Sequence, residues 1–348
     1  MYITINNRRI GPGYPVYIIA EMSANHHQDF DKAVRILEQA KQAGADAVKL
    51  QTYTPDTMTL ACDNEYFRIG KGTVWEGKNL YELYREAYTP WEWQPKLKRI
   101  AGELGLDLFS SPFDATAVDF LEGMDVPAYK IASFEVVDLP LIAYIARTGK
   151  PIILSTGMAA LGEIEEAVSV IHAAGNHQVA LLKCTSAYPA PPEEMNLRTL
   201  QHMSEAFDVP TGLSDHTMGS TSAVVAVSLG ACIIEKHFTL SRSVSGPDST
   251  FSMEPVEFRE MVSAIRTAEK AIGDVSYRIS GKQMQSRIFR RSLFVASDIP
   301  AGERFSESNI RCIRPANGLH PRYLKDIIGR RSAADVKAGT PLSWEMVG

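Results

Sequence analysis

The chain has 348 residues, a formal net charge of −5 and four cysteines (Cys62, Cys184, Cys232 and Cys312) without CxxC spacing. That length exceeds one small domain and fits a barrel of about 250 residues with an appendage. The modest charge, with no Lys/Arg run that forms a stripe, argues against nucleic-acid binding, and the scattered thiols argue against a disulfide framework. The first residues lack a signal-peptide core, and no stretch reaches the roughly 18 uninterrupted apolar residues of a membrane span. A cytoplasmic protein with reduced thiols and no membrane partner is expected.

Residues 2–10, with Asn6-Asn7 at their centre, read as a hairpin that plugs the bottom of a barrel. From about 16 to 273, β-rich runs alternate with segments of helical period. Eight strands are expected, over 16–23, 47–53, 107–113, 128–135, 151–157, 179–188, 211–216 and 232–239, with helical stretches such as 31–43, 163–174 and 255–272. Eight βα units in one run of this length predict an α/β fold of the TIM (β/α)8 barrel type. A doubly wound open sheet is the alternative, but no Gly-rich phosphate loop follows the first strand. The longest insertion, 54–89, holds Trp75 and Tyr81, Tyr84 and Tyr88; it reads as a lid or as ordinary helix packing. Past Gly281 the pattern changes to a basic stretch, 287–291, and short β-like pieces at 292–296 and 309–314. The expected division is a barrel domain over 1–280 and a small β-rich domain over 287–348, which buries little core by itself.

In such a barrel the outer strand face meets helices and must be apolar, so polar residues near the strand ends point inward. Period-two alternation then places Glu21, Lys49 with Gln51, Ser111, Lys130, Ser155, Lys183, Ser214 with His216, and Glu235 with His237 on the inner face. Lys236 breaks the pattern and is expected on the rim, paired with a carboxylate. Lys49 and Lys130 with Ser111, Ser133, Ser155 and Ser214 at one mouth suit a multiply charged anion such as a phosphorylated acid. His216 and His237 end neighbouring strands, whose spacing of about 4.8 Å lets two imidazoles converge on one cation. Two protein ligands leave positions open for water and substrate, which suits Mn²⁺, or Co²⁺ or Mg²⁺, better than a closed structural zinc site. Glu21 reads as a carboxylate that accepts a proton or holds sugar hydroxyls, or as a structural partner for Lys49.

The segments 19–26, 44–53, 129–133, 154–158, 212–216 and 235–238 resemble the sialic acid synthase family, which condenses phosphoenolpyruvate with an N-acetylated aldose to give a nonulosonic acid. The likeness runs over essentially the whole chain. The segments 290–293, 299–303 and 313–321 look like that family's antifreeze-protein-like (SAF) domain, which reaches over the partner's barrel in a domain-swapped homodimer. The resemblance implies that His216 and His237 hold the metal and that Glu21 and Asp248 contact the acceptor sugar. It implies that Lys49, Ser111, Lys130, Ser133, Ser155, Ser186 and Ser214 surround phosphoenolpyruvate. It also implies that Tyr188 and Phe289 line the sugar pocket and that Arg314 binds the N-acetyl group from the partner chain. Ser111 stands where threonine is common and Ser186 where asparagine is common. The run 22–25, and Gln51 to Pro55 with 80–84, look like the pseudaminic-acid-forming subgroup, whose acceptor is 2,4-diacetamido-2,4,6-trideoxy-L-altrose; Gln51 joins the substrate-binding set on this ground. N-acetylneuraminate, legionaminate and spore-coat polysaccharide synthases are the alternatives within the family, and a non-catalytic sugar-binding protein lies outside it.

Overall fold

The computed structural model describes residues 1–72 and 74–348; Thr73, inside the expected lid, lies outside the described residues. It divides into two units, Met1–Gly273 and Asp274–Gly348, where the sequence reading ended the barrel at 280.

The first unit opens with the hairpin β1 (Ile3–Ile5) and β2 (Arg8–Ile10). Asn6 and Asn7 both take positive φ, 45° and 64°, the backbone of a tight hairpin turn that asparagine tolerates well. Ile3, Ile5 and Ile10 are fully buried in a cluster with Tyr17, Ile19 and Phe109. Thr4 donates to Gln178 and Asn6 to Asp107, residues that enter strands from below, so the hairpin does close the barrel bottom.

Eight parallel strands follow: β3 (Tyr17–Glu21), β4 (Ala47–Thr52), β5 (Asp107–Pro112), β6 (Tyr129–Ile131), β7 (Ile152–Ser155), β8 (Val179–Cys184), β9 (Thr211–Asp215) and β10 (Ile233–His237). They close into a barrel, β10 pairing with β3, as the alternation of elements predicts. The helices are α1 (Phe30–Ala43), α2 (Pro55–Met58), α3 (Leu80–Ala87), α4 (Gln94–Glu103), α5 (Ala115–Gly123), α6 (Leu139–Ala146), α7 (Leu161–Ala173), α8 (Thr199–Phe207), α9 (Thr221–Ser228) and α10 (Pro255–Ile272). α1 shows why such segments are helical. Asp29 caps its first turn by accepting from the Lys32 N–H, Ala33, Ile36, Leu37 and Ala40 bury one stripe, and Gly44 at φ 93° ends it. That cap is worth about 1 kcal/mol.

The inner face is layered. Above the hairpin lie Ile19, Phe109, Ile153 and Ile233, all fully buried. Gly212 keeps the barrel narrow here: a Cβ on it would come within 2.7 Å of both Ile233 Cβ and Leu182 Cδ2. Above this apolar layer the inner side chains become polar, and the mouth begins.

The second unit holds α11 (Gly281–Ser286), the antiparallel pair β11 (Ser292–Val295) and β12 (Ile310–Ile313), and α12 (Leu324–Ile327). Its own small core comprises Leu293, Val295, Ile299, Phe305, Ile310, Ile327, Val336 and Leu342. Among the described residues no helix is long and apolar enough to cross a membrane, and all four cysteines are free thiols.

Candidate active site

The ladder register fixes which side chains meet at the mouth. Glu21 pairs with Lys49 and with His237, Gln51 with Ser111, Glu235 with Ser214, and Ser214 with Cys184. Register partners share a face, so these residues form one ring.

At the ring's centre is a buried charge cluster. Lys49 Nζ lies 3.1 Å from Glu21 Oε2 and 3.3 Å from Glu235 Oε1. Glu235 Oε1 also accepts from Ser214 Oγ at 3.2 Å and lies 3.9 Å from Lys130 Nζ, while Lys130 donates to Ser155 Oγ at 2.7 Å. Burial opposes the Lys49 charge, but Glu21 and Glu235 outweigh it and hold its pKa above the usual lysine value. Lys130 has weaker support, and burial brings it down to about 8. Burial pushes Glu21 up to about 7 despite Lys49, with Glu235 adding to the rise. Glu235 is moved the other way: burial is outweighed by Lys130 and Lys49. Two cations thus face two carboxyl groups, one of which takes a proton near neutrality. The ring also keeps unsatisfied capacity, because Ser111 Oγ and Glu235 Oε2 are buried without a hydrogen-bond partner.

A second hydroxyl group of sites lies over Gly157, just past β7. Ser133 Oγ accepts from the Gly157 N–H at 3.1 Å, and a Cβ at Gly157 would collide with the hydroxyls of both Ser133 and Ser186. Gly157 therefore leaves room for both hydroxyls beside it.

The imidazoles of His216 and His237 have centroids 5.3 Å apart. His216 Nδ1 lies 3.1 Å from the Thr185 carbonyl oxygen, so Nδ1 carries a proton and the neutral ring keeps its lone pair on Nε2; against burial, Cys184, whose Sγ is 3.8 Å from Nδ1, and that carbonyl raise the imidazole pKa. His237 Nδ1 is buried without a partner. Burial, then His216, Lys49, Lys236 and Lys130, holds His237 well below the usual imidazole pKa and so in the neutral, ligating form. This donor set fits a divalent cation with open positions. Among the described residues no group of three or more His, Cys, Asp or Glu side chains is placed to hold a metal ion.

Beside the histidines a cavity of about 420 Å³ opens. Its polar lining is Ser23, Gln51, Glu135, His237 and Asp248. Gln51 donates to Glu21 Oε1 at 2.9 Å and to Ser23 Oγ at 3.0 Å, and the Ser23 hydroxyl bonds to Asp248, which also accepts from the Ala24 N–H. Much of the apolar lining comes from the insertion after β4: Met58, Ile69, Leu80, Leu83, Tyr84 and Ala87. The insertion therefore walls the cavity, as a lid would. Tyr84 stacks edge-on against Tyr53, whereas Tyr81 bonds outward to Asp56. Tyr188 lies with its ring 4.4 Å from His216 and 5.0 Å from Phe251.

A model of the NeuB family matches residues 36–277, and a SAF-domain model matches residues 290–348. The chain is 49% identical to the pseudaminic acid synthase of Helicobacter pylori, covering 94% of this chain and 97% of that one. It is 45% identical to the pseudaminic acid synthase of Campylobacter jejuni, over 94% and 95%. The crystal structure of a spore coat polysaccharide biosynthesis protein from Bacillus subtilis superposes with a TM-score of 0.68 at 34% identity, covering 100% and 99%. The chain belongs to the NeuB family.

Of the residues expected for this NeuB-family site, the first unit brings Glu21, Lys49, Gln51, Ser111, Lys130, Ser133, Ser155, Ser186, Tyr188, Ser214, His216, His237 and Asp248 to the strand ends or the loops just past them. Phe289 and Arg314 belong to the second unit, where both are exposed. Two placements differ from expectation. Lys183 was expected inside, but its register partner is Leu213 and it donates to the Cys184 carbonyl; Cys184, paired with Ser214, faces the mouth instead. Lys236 was expected on the rim; it does pair with a carboxylate, Asp215, but is fully buried on the outer strand face.

Three contributors escaped the sequence reading. Glu235 was placed inside but not given a role, although it joins both lysines. Glu135 lines the cavity with Oε2 unpartnered, and burial pushes it up to about 7 against the pull of Lys130. Ser23 links Gln51 to Asp248. An acidic residue two positions beyond a strand-end serine was the available signal for Glu135.

Proposed function

We propose that this chain is a pseudaminic acid synthase, joining phosphoenolpyruvate to 2,4-diacetamido-2,4,6-trideoxy-L-altrose with addition of water and release of phosphate. The observation that carries the reading is one mouth in which a lysine and serine ring and a histidine pair open into a cavity lined by both polar and apolar side chains. Likeness to the pseudaminic acid synthases supports the choice of sugar.

In this reading Lys49 and Lys130, with the hydroxyls of Ser111, Ser133, Ser155, Ser186 and Ser214, hold the carboxylate and phosphate of phosphoenolpyruvate. His216 and His237 would hold a divalent cation, Mn²⁺ with Co²⁺ or Mg²⁺ as alternatives, which would supply Lewis acidity for the sugar's carbonyl group. Carbon three of phosphoenolpyruvate gives its enol electron pair to sugar carbon one. The aldehyde's carbon–oxygen π pair moves onto its oxygen; water adds at carbon two, Glu21 takes one of its protons and returns it to that sugar oxygen, and the carbon–oxygen bond to phosphate breaks as the carbon-two hydroxyl becomes the ketone and its proton leaves with phosphate. Asp248, anchored by Ser23 and the Ala24 N–H, and Tyr188 orient the acceptor. The apolar lining favours a 6-deoxy sugar, because a hydroxyl pressed against it is stripped of water without gaining a partner. Oxygen-18 in the bridging position of phosphoenolpyruvate is expected in the released phosphate; its retention in the acid product overturns this course.

The active form in this reading is a cytoplasmic, domain-swapped homodimer in which the second unit of each chain supplies Phe289 and Arg314 to its partner's barrel. A chain carrying Arg314→Ala, paired with one carrying His216→Ala, then puts both lesions in one site and leaves the other intact. Purified mixed dimers are expected to retain activity from one site in two. Inactive mixed dimers, with each single variant inactive alone, contradict the exchange.

A further inference from the structure

One ion pair interrupts the apolar outer face of β9 and β10. Lys236 Nζ lies 2.7 Å from Asp215 Oδ2 and 2.6 Å from the Thr217 carbonyl oxygen. Asp215 Oδ1 accepts from the Thr217 N–H at 2.9 Å and from its hydroxyl at 2.8 Å. The two charged side chains are 1% and 0% exposed. Such a pair is weak evidence of stabilisation, since apolar residues fill a site of this kind as well or better once desolvation is counted.

Its position gives it a different use. Asp215 and Lys236 are register partners and form the last rung of the β9–β10 ladder. His216 follows the first and His237 the second. Both imidazoles therefore stand just past the end of the ladder, where no β9–β10 rung holds the strand tips together. The ion pair and its three bonds to Thr217 tie the tips at that point, from the face opposite the mouth.

We propose that Asp215, Lys236 and Thr217 form a positioning clamp that sets the separation of the His216 and His237 imidazoles. The clamp touches no substrate and acts through the histidines; it rests on the reading of that pair as the cation site.

The test titrates purified full-length protein with Co²⁺, reading visible absorption for affinity and geometry, and measures Tm separately. The double variant Asp215→Asn, Lys236→Met removes both charges but keeps an acceptor for Thr217. It is expected to fold, to bind Co²⁺ about 10–100-fold more weakly and to show an altered spectrum. A folded double variant with wild-type affinity and spectrum overturns the proposal. Thr217→Val, which removes only the hydroxyl that fixes Asp215, is the milder arm and is expected to weaken Co²⁺ severalfold. Should the double variant not fold, unchanged affinity in this arm overturns the proposal. Absence of Co²⁺ binding by the wild-type protein refutes the cation reading itself and is thereby distinguished from failure of the clamp.

Discussion

His237→Ala is expected to lower kcat/KM by about a thousandfold, with little change in Tm. The residue ends β10 beside Glu21, and its Nδ1 is buried without a partner, so removing the ring breaks no hydrogen bond there. In the proposed reading, loss of one of the two imidazoles removes a cation worth several kcal/mol at the transition state; about 4 kcal/mol corresponds to the thousandfold. The measurement pairs initial rates at saturating phosphoenolpyruvate with Co²⁺ affinity. Full activity in the variant refutes the electrophilic role given to the pair.

Lys49→Met is expected to damage both activity and stability. It leaves Glu21 and Glu235 buried without their shared cation, a situation that destabilises by about 3–5 kcal/mol. The pH dependence has a definite sign. Glu21 in the folded protein already titrates at about 7, above its ordinary value of 4.5, and losing Lys49 raises it further. A carboxyl with a raised folded pKa binds a proton in the folded state that the unfolded chain lacks, so its contribution to stability is present at low pH and lost as pH rises through the folded value. The deficit of the variant is therefore largest above pH 7 and shrinks toward pH 5. Urea unfolding at pH 8 and pH 5.5 measures this, and an equal deficit at both contradicts the charge assignment. Catalysis does not recover at the lower pH, because the cation facing the substrate anion is absent.

Much of this site was legible because a barrel forces a choice on each strand residue. A lysine or glutamate inside an otherwise apolar strand has nowhere to go but inward, and that rule places Glu21, Lys49, Lys130, Glu235 and His237 correctly. The eight strands and the hairpin turn at Asn6-Asn7 follow from the same local pattern, and the 255–272 stretch matches α10 residue for residue. The rule fails where its premise does. Lys183 reaches back to its neighbour's carbonyl and stays half-buried on the outer side, so inward placement was not compulsory. Lys236 sits on the outer face fully buried because Asp215 and the Thr217 carbonyl satisfy it there, a pairing that only register reveals. Glu135 and Ser23 lie on short 3-10 turns past the strand ends, where no period constrains them. The cavity's apolar lining was the least legible part. It is assembled from residues of the 54–89 insertion, which are set side by side by tertiary packing and not by spacing.

The acceptor is where the central claim is most exposed. Phosphate release from phosphoenolpyruvate, measured with purified wild-type protein and equal concentrations of 2,4-diacetamido-2,4,6-trideoxy-L-altrose, the legionaminate precursor or N-acetylmannosamine, tests it directly. The trideoxy-altrose is predicted to give the highest kcat/KM, exceeding N-acetylmannosamine by about 100-fold or more through the unpaired hydroxyls of the latter. Faster turnover of N-acetylmannosamine or of the legionaminate precursor contradicts the account.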